Sequence, residues 1–159
     1  QTTALTDYTF QGILSALTKN GICRVPLAVF EYNNSVRQLL SKYECILAFD
    51  TAADFLGLTN GGYRSAAQIF VTKKQNIEGT EQIKIDSFEQ IECQEYHGLL
   101  CTTVNQTIIN LLEQDGDEQV IAESLANYYE ENGQSFEALE IPEHLKIRFK
   151  KYSEWRYLK

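Results

Sequence analysis

After Thr103 the apolar residues of this chain pass from strand-like runs to helical repeats, and that change limits the fold more than any single motif. Three β-rich runs, 67–72, 82–88 and 90–96, are followed by a fourth, 99–102, across the pair His97-Gly98, which suits a tight hairpin. Beyond Thr103 every apolar repeat is helical: Ile108, Leu111 and Leu112, then Ile121, Leu125 and Tyr128, then Leu145, Phe149 and Tyr152. Strands followed by a run of helices, without regular βα alternation, predict an α+β fold. The expected architecture is a small antiparallel sheet in the middle of the chain, flanked and followed by helices.

Local signals set the expected boundaries. The Thr103 hydroxyl is placed to cap a helix, and Gln106 completes a T-x-x-Q capping box. Asp115-Gly116-Asp117 breaks that helix, Asp117 and Glu118 begin the next, and Asn132-Gly133 ends it. Ser135 caps a short turn, and Pro142 stands where a helix N-terminus favours proline. Upstream, residues 6–19 predict a helix bearing Phe10, Ile13, Leu14 and Leu17, and another starts near Ser35; Pro26 argues against a regular helix between them. Residues 46–58 predict a short helix capped by Asp50 and stopped near Gly57, with a turn at Thr59-Asn60-Gly61-Gly62. Residues 1–40 are thus expected as a helical N-terminal segment with no recognisable winged helix, and 41–159 as a second segment, the two forming one unit.

A chain of 159 residues is long enough for one hydrophobic core, burying roughly two thirds of its unfolded surface. No apolar run approaches the roughly 20 residues of a membrane span, and 1–17 lack the pattern of a secretion signal, so no membrane contact and a cytoplasmic location are expected. Cys23, Cys45, Cys93 and Cys101 show no CxxC or Cys/His spacing, which predicts buried reduced thiols rather than disulfides or a metal site.

Charge is uneven. The net charge is −8; from Gln75 to His144 sixteen acids face one base, Lys84, whereas the last fifteen residues hold six bases against Glu154. A field of one sign steers a partner of the other, which makes the acidic stretch, with Glu89, Glu92 and Glu95, a candidate partner-binding face. Lys146, Arg148, Lys150 and Lys151, near Trp155 and Tyr157, interleave cations and aromatics as nucleic-acid binders do. The same residues also suit an amphipathic helix with bases near its C-terminus, or one that pairs with the acidic face. DNA binding is left open by these patterns. His97 and His144 fall in no metal-ligand spacing, and no nucleophile elbow, P-loop or dinucleotide fingerprint occurs, so neither catalytic residues nor a cofactor is expected.

Two stretches carry a family likeness. Cys45-Ile46-Leu47-Ala48-Phe49-Asp50-Thr51-Ala52 with Leu56-Gly57-Leu58-Thr59-Asn60, and Gly98-Leu99-Leu100-Cys101-Thr102-Thr103-Val104-Asn105-Gln106-Thr107-Ile108-Ile109-Asn110-Leu111-Leu112, resemble the C-terminal domain of the AbiEi family. These are the antitoxins of type IV abortive-infection systems, and the likeness runs from about Leu40 to the C-terminus. Where the family pattern has Pro, Glu, Arg and a later Asp, this chain has Val104, Asn105, Gln106 and Asn110; a Ser-His pair is here Ala48-Phe49. The resemblance implies a non-enzymatic protein that antagonises a nucleotidyltransferase-type toxin by macromolecular recognition. Two other functions fit the composition: an acidic DNA-mimic inhibitor of the kind mobile elements use, and a transcriptional regulator domain.

Overall fold

The computed structural model describes residues 44–59, 66–77, 79–96, 99–114 and 117–155. The helices expected at 6–19 and from Ser35, the glycine-rich turn after Thr59 and the His97-Gly98 turn lie outside these residues. Within them, β1 (Ile46–Leu47) runs directly into α1 (Phe49–Phe55), followed by β2 (Ala67–Val71), β3 (Thr80–Lys84), β4 (Cys93–Tyr96) and β5 (Leu99–Thr102). The helices α2 (Val104–Glu113), α3 (Glu118–Glu131) and α4 (Lys146–Ser153) complete the order, with short 3-10 turns at Phe88–Gln90 and Glu143–Leu145. The fold is α+β. Among the described residues, no helix is long and apolar enough to cross a membrane.

The five strands lie in the order β3-β2-β1-β5-β4, and the sheet is mixed rather than antiparallel. β1 pairs antiparallel with β2 and β4 with β5, but β1 and β5 are parallel, joined at Leu47 and Cys101, and so are β2 and β3. The parallel β2–β3 pair is connected by 72–79 alone, a shorter return than the dozen or more residues such crossovers usually take. Two features hold it: Ile77 is buried among Leu47, Ile69 and Val71, and the Gln82 side chain clamps Gln75. The Gln82 amide accepts from the Gln75 N–H at 2.8 Å and donates to its carbonyl at 2.7 Å.

Alternation along the strands sorts the core into faces. Leu47, Ile69, Val71, Leu99 and Cys101 point to one side, where Ala52 and Phe55 of α1 cover them. Ile46, Ala48 and Phe70 point to the other, under Phe49, Ile83, Ile85, Phe88 and Ile91. α1 is a middle layer, since its Ala53 and the following Leu58 join Ile108, Leu111, Leu112, Ile121, Leu125, Tyr128, Leu145 and Tyr152 in the helical core. Each apolar stripe expected for the three C-terminal helices is therefore found packed.

Several boundaries differ from expectation for identifiable reasons. Asp50 is not the cap of α1; the N-cap is Ala48, which has no capping side chain, and Asp50 is buried in the first turn. The cap comes from β2, where Gln68 Oε1 accepts the Asp50 N–H at 3.0 Å while Thr51 Oγ1 accepts the Gln68 N–H at 2.8 Å. The strand-to-helix bend is tight enough to hold Phe49 at φ 52, a left-handed conformation uncommon for a bulky side chain. Gly57, at φ 78, does end the helix as expected. The β-runs at 82–88 and 90–96 are cut short because Ser87 and Gln90 form a reciprocal capping box around the 3-10 turn.

Candidate partner-binding surface

The structure separates the three acidic residues singled out in the sequence. Glu89 lies in the 3-10 turn, Glu92 in the connector just before β4, and Glu95 within β4 itself; all three are exposed. Glu92 is committed internally, because its carboxylate accepts the Thr103 hydroxyl at 2.6 Å and its carbonyl accepts the Thr103 N–H at 3.1 Å. Thr103 Oγ1 in turn accepts the Gln106 N–H at 3.2 Å, capping α2 as expected. The second half of the expected capping box is replaced, since Gln106 Oε1 accepts from the Glu92 N–H at 3.0 Å instead. Glu92 thus ties the sheet edge to the start of α2, whereas Glu89 and Glu95 hold their charges in solvent.

Of the basic residues of α4, Arg148 is turned inward, whereas Lys146, Lys150 and Lys151 are exposed. Arg148 Nε donates to the Leu112 carbonyl at 2.6 Å and its Nη2 to the Gln114 carbonyl at 3.2 Å, closing the C-terminal end of α2. A helix C-terminus carries partial negative charge and unpaired carbonyls, which a forked cation satisfies well. Lys151 pairs with Glu118 at 3.2 Å, and Glu118 also accepts the Tyr152 hydroxyl at 2.6 Å. These bonds hold the Glu118 carboxyl below its ordinary range, the Tyr152 hydrogen bond first and Lys151 second. Glu118 pushes the Tyr152 hydroxyl up through the same hydrogen bond, and the Lys151 ammonium likewise. Lys146 makes a helical pair with Glu143 at 3.4 Å, and Lys150 is exposed.

The amides that replace charged residues of the resembled motif make hydrogen bonds of their own. Asn105 grips the backbone of Glu140 in both directions, accepting its N–H at 2.8 Å and donating to its carbonyl at 3.3 Å. Asn110 donates to Glu113 at 3.3 Å, but its buried Oδ1 and the Ser124 hydroxyl have no hydrogen-bond partner among the described residues. At the other end of α2, Gln114 reaches Asp50 at 3.4 Å, linking the helix to α1.

No protein-family model, curated protein or solved structure matches the chain. Cys45 and Cys101 are buried as expected, Cys93 is only half-buried and Cys23 lies outside the described residues; burial pushes the Cys45 thiol up to about 11, which disfavours its thiolate near neutrality. His144 is exposed and stands 4.0 Å from Glu113. The feature that sequence reasoning missed is the place of β4 at the end of the described sheet, which depends on strand order and leaves no local signal.

Proposed function

We propose that the protein is an antitoxin-type binding module that antagonises a nucleotidyltransferase-type toxin by holding it on the acidic surface around β4. One observation carries this reading: of the four cations of α4, Arg148, Lys151 and Lys146 each have a partner within the fold, which leaves Lys150 alone to offset the acidic stretch. Arg148 caps α2, Lys151 serves Glu118 and Lys146 serves Glu143, while Glu89 and Glu95 stay in solvent. Exposed carboxylates on a stretch with no basic residue between Lys84 and the end of β4 suit rapid capture of a basic partner. A DNA mimic needs free carboxylates at the phosphate repeat, roughly 7 Å along a strand, and the bond from Thr103 withdraws Glu92 from such an array. The geometry therefore favours a protein partner over mimicry.

The test is co-expression of the chain with the product of the adjacent gene, recording growth and co-purification. Growth arrest by that product, relieved by this chain and reduced by the double substitution Glu89→Lys and Glu95→Lys, supports the proposal. Relief that the double substitution leaves intact would overturn the acidic surface as the means of capture, and absence of any relief would overturn the antitoxin role.

A further inference from the structure

β4 ends the sheet, and among the described residues no strand pairs with its outer side. Its ladder with β5 is regular, with Cys93 opposite Thr102, Gln94 opposite Cys101, Glu95 opposite Leu100 and Tyr96 opposite Leu99. The Thr103 N–H to Glu92 carbonyl bond fixes the phase of that ladder. Antiparallel pairs alternate between bonded and non-bonded, so Gln94 and Tyr96 spend their backbone groups on β5, whereas the N–H and C=O of Cys93 and Glu95 point outward. Proteins ordinarily blunt such an edge with lysine, proline or a bulge. Cys93-Gln94-Glu95-Tyr96 has none of these, while the opposite edge, β3, carries Lys84.

We propose that this edge takes a basic, extended segment of the partner as an added strand. The proposal rests on the reading that the acidic surface is the binding surface, and it names what binds there. Backbone hydrogen bonds to Cys93 and Glu95 would supply the affinity, in the manner of β-strand addition. Charge selects the segment: Glu95 is exposed, as is Glu89 in the turn before β4, and no basic residue lies between Lys84 and the end of β4. Glu95 also shares its sheet face with Leu100, the strand residue opposite it and, among the described residues, one of two exposed large apolar side chains. A lysine or arginine fits both, laying its aliphatic stem on Leu100 while its cationic head meets Glu95.

The probe is a synthetic decapeptide of alternating lysine and valine, added to the isotope-labelled full chain while amide hydrogen exchange is followed. Exchange at Cys93 and Glu95 is expected to slow by about tenfold or more, since both amides gain a partner. A decapeptide of the same charge, N-methylated at every backbone nitrogen so that neither edge can donate, should give no such protection. Glu95→Gln, which keeps the outward N–H, should weaken binding by about threefold to tenfold. Glu95→Pro, which removes that N–H at a position an edge strand tolerates, should abolish the protection at Cys93. Equal binding of the methylated peptide would reduce the contact to side-chain electrostatics and overturn strand addition, as would unchanged exchange at Cys93 and Glu95. Because these readouts need no toxin, they are separable from the co-expression result: failure here with growth relief intact removes only the added strand, and the converse removes only the antitoxin role.

Discussion

The guanidinium of Arg148 lies against the end of α2, with Nε 2.6 Å from the Leu112 carbonyl and Nη2 3.2 Å from that of Gln114. A residue that looked in the sequence like part of a nucleic-acid contact is thereby a helix cap joining two elements. Arg148→Ala should cost about 2 kcal/mol, the usual scale for hydrogen bonds to a charged group. Arg148→Lys should recover less than half of this, because an ammonium does not reproduce the planar fork. Urea unfolding, with the midpoint shifted at constant slope, measures both.

The acidic residues around β4 should divide into two classes. Glu92→Lys removes the acceptor of the Thr103 hydroxyl and should destabilise the fold by about 1 kcal/mol or more. The pair Glu89→Lys and Glu95→Lys should leave stability within about 0.5 kcal/mol. It should instead slow association with a basic partner by about tenfold at low salt and flatten the salt dependence. Stopped-flow association at two ionic strengths, beside thermal melts, separates the two effects.

Acid should loosen α4 before the rest. The Glu118 carboxyl is held below its ordinary range by Tyr152 and Lys151, so its contribution is present above the unfolded-state value and is lost as the pH falls through the lowered one. Tyr152 is raised by the same bond, so on the alkaline side that contact is kept up to the tyrosine range and lost as the pH rises through the raised value. Glu118→Gln should make the Tyr152 environment insensitive to acid, as read by tyrosine ultraviolet absorbance during titration.

Ser124 invites a gain. Its hydroxyl is fully buried in α3 with no hydrogen-bond partner among the described residues. Ser124→Ala removes an unmatched polar atom and improves helix propensity, so stability should rise by about 1 kcal/mol. A lower melting temperature would show that the hydroxyl is matched after all.

The helical half of the fold was legible because its signals are local. Thr103 and Asp117 cap α2 and α3, Gly133 follows the end of α3 at φ 67, and the apolar stripes of α2, α3 and α4 repeat at helical spacing. The sheet was legible as strands but not as an order. β1 is two residues long and passes at once into a helix, so its apolar run has no strand period to show. Its parallel partner is far away at Cys101, and the cap of α1 comes from Gln68 on β2, so neither leaves a mark near Asp50. For the candidate site, the excess of carboxylates is visible in the composition. That Glu92 is bonded inward and Glu95 lies on the end strand of the described sheet depends on register, which composition does not encode.

The place of β1 also bears on how the chain is made. A ribosome releases β1, α1, β2 and β3 well before β5, so the nascent sheet has Ile46 and Leu47 bare along one margin until Thr102 has emerged. That margin is apolar and, among the described residues, only β5 pairs with it; it is the kind of surface through which incomplete chains stick to one another. A pause in translation shortly before residue 99 would prolong the exposure, and a chain cut there would be a substrate for chaperones or proteases rather than a smaller working module.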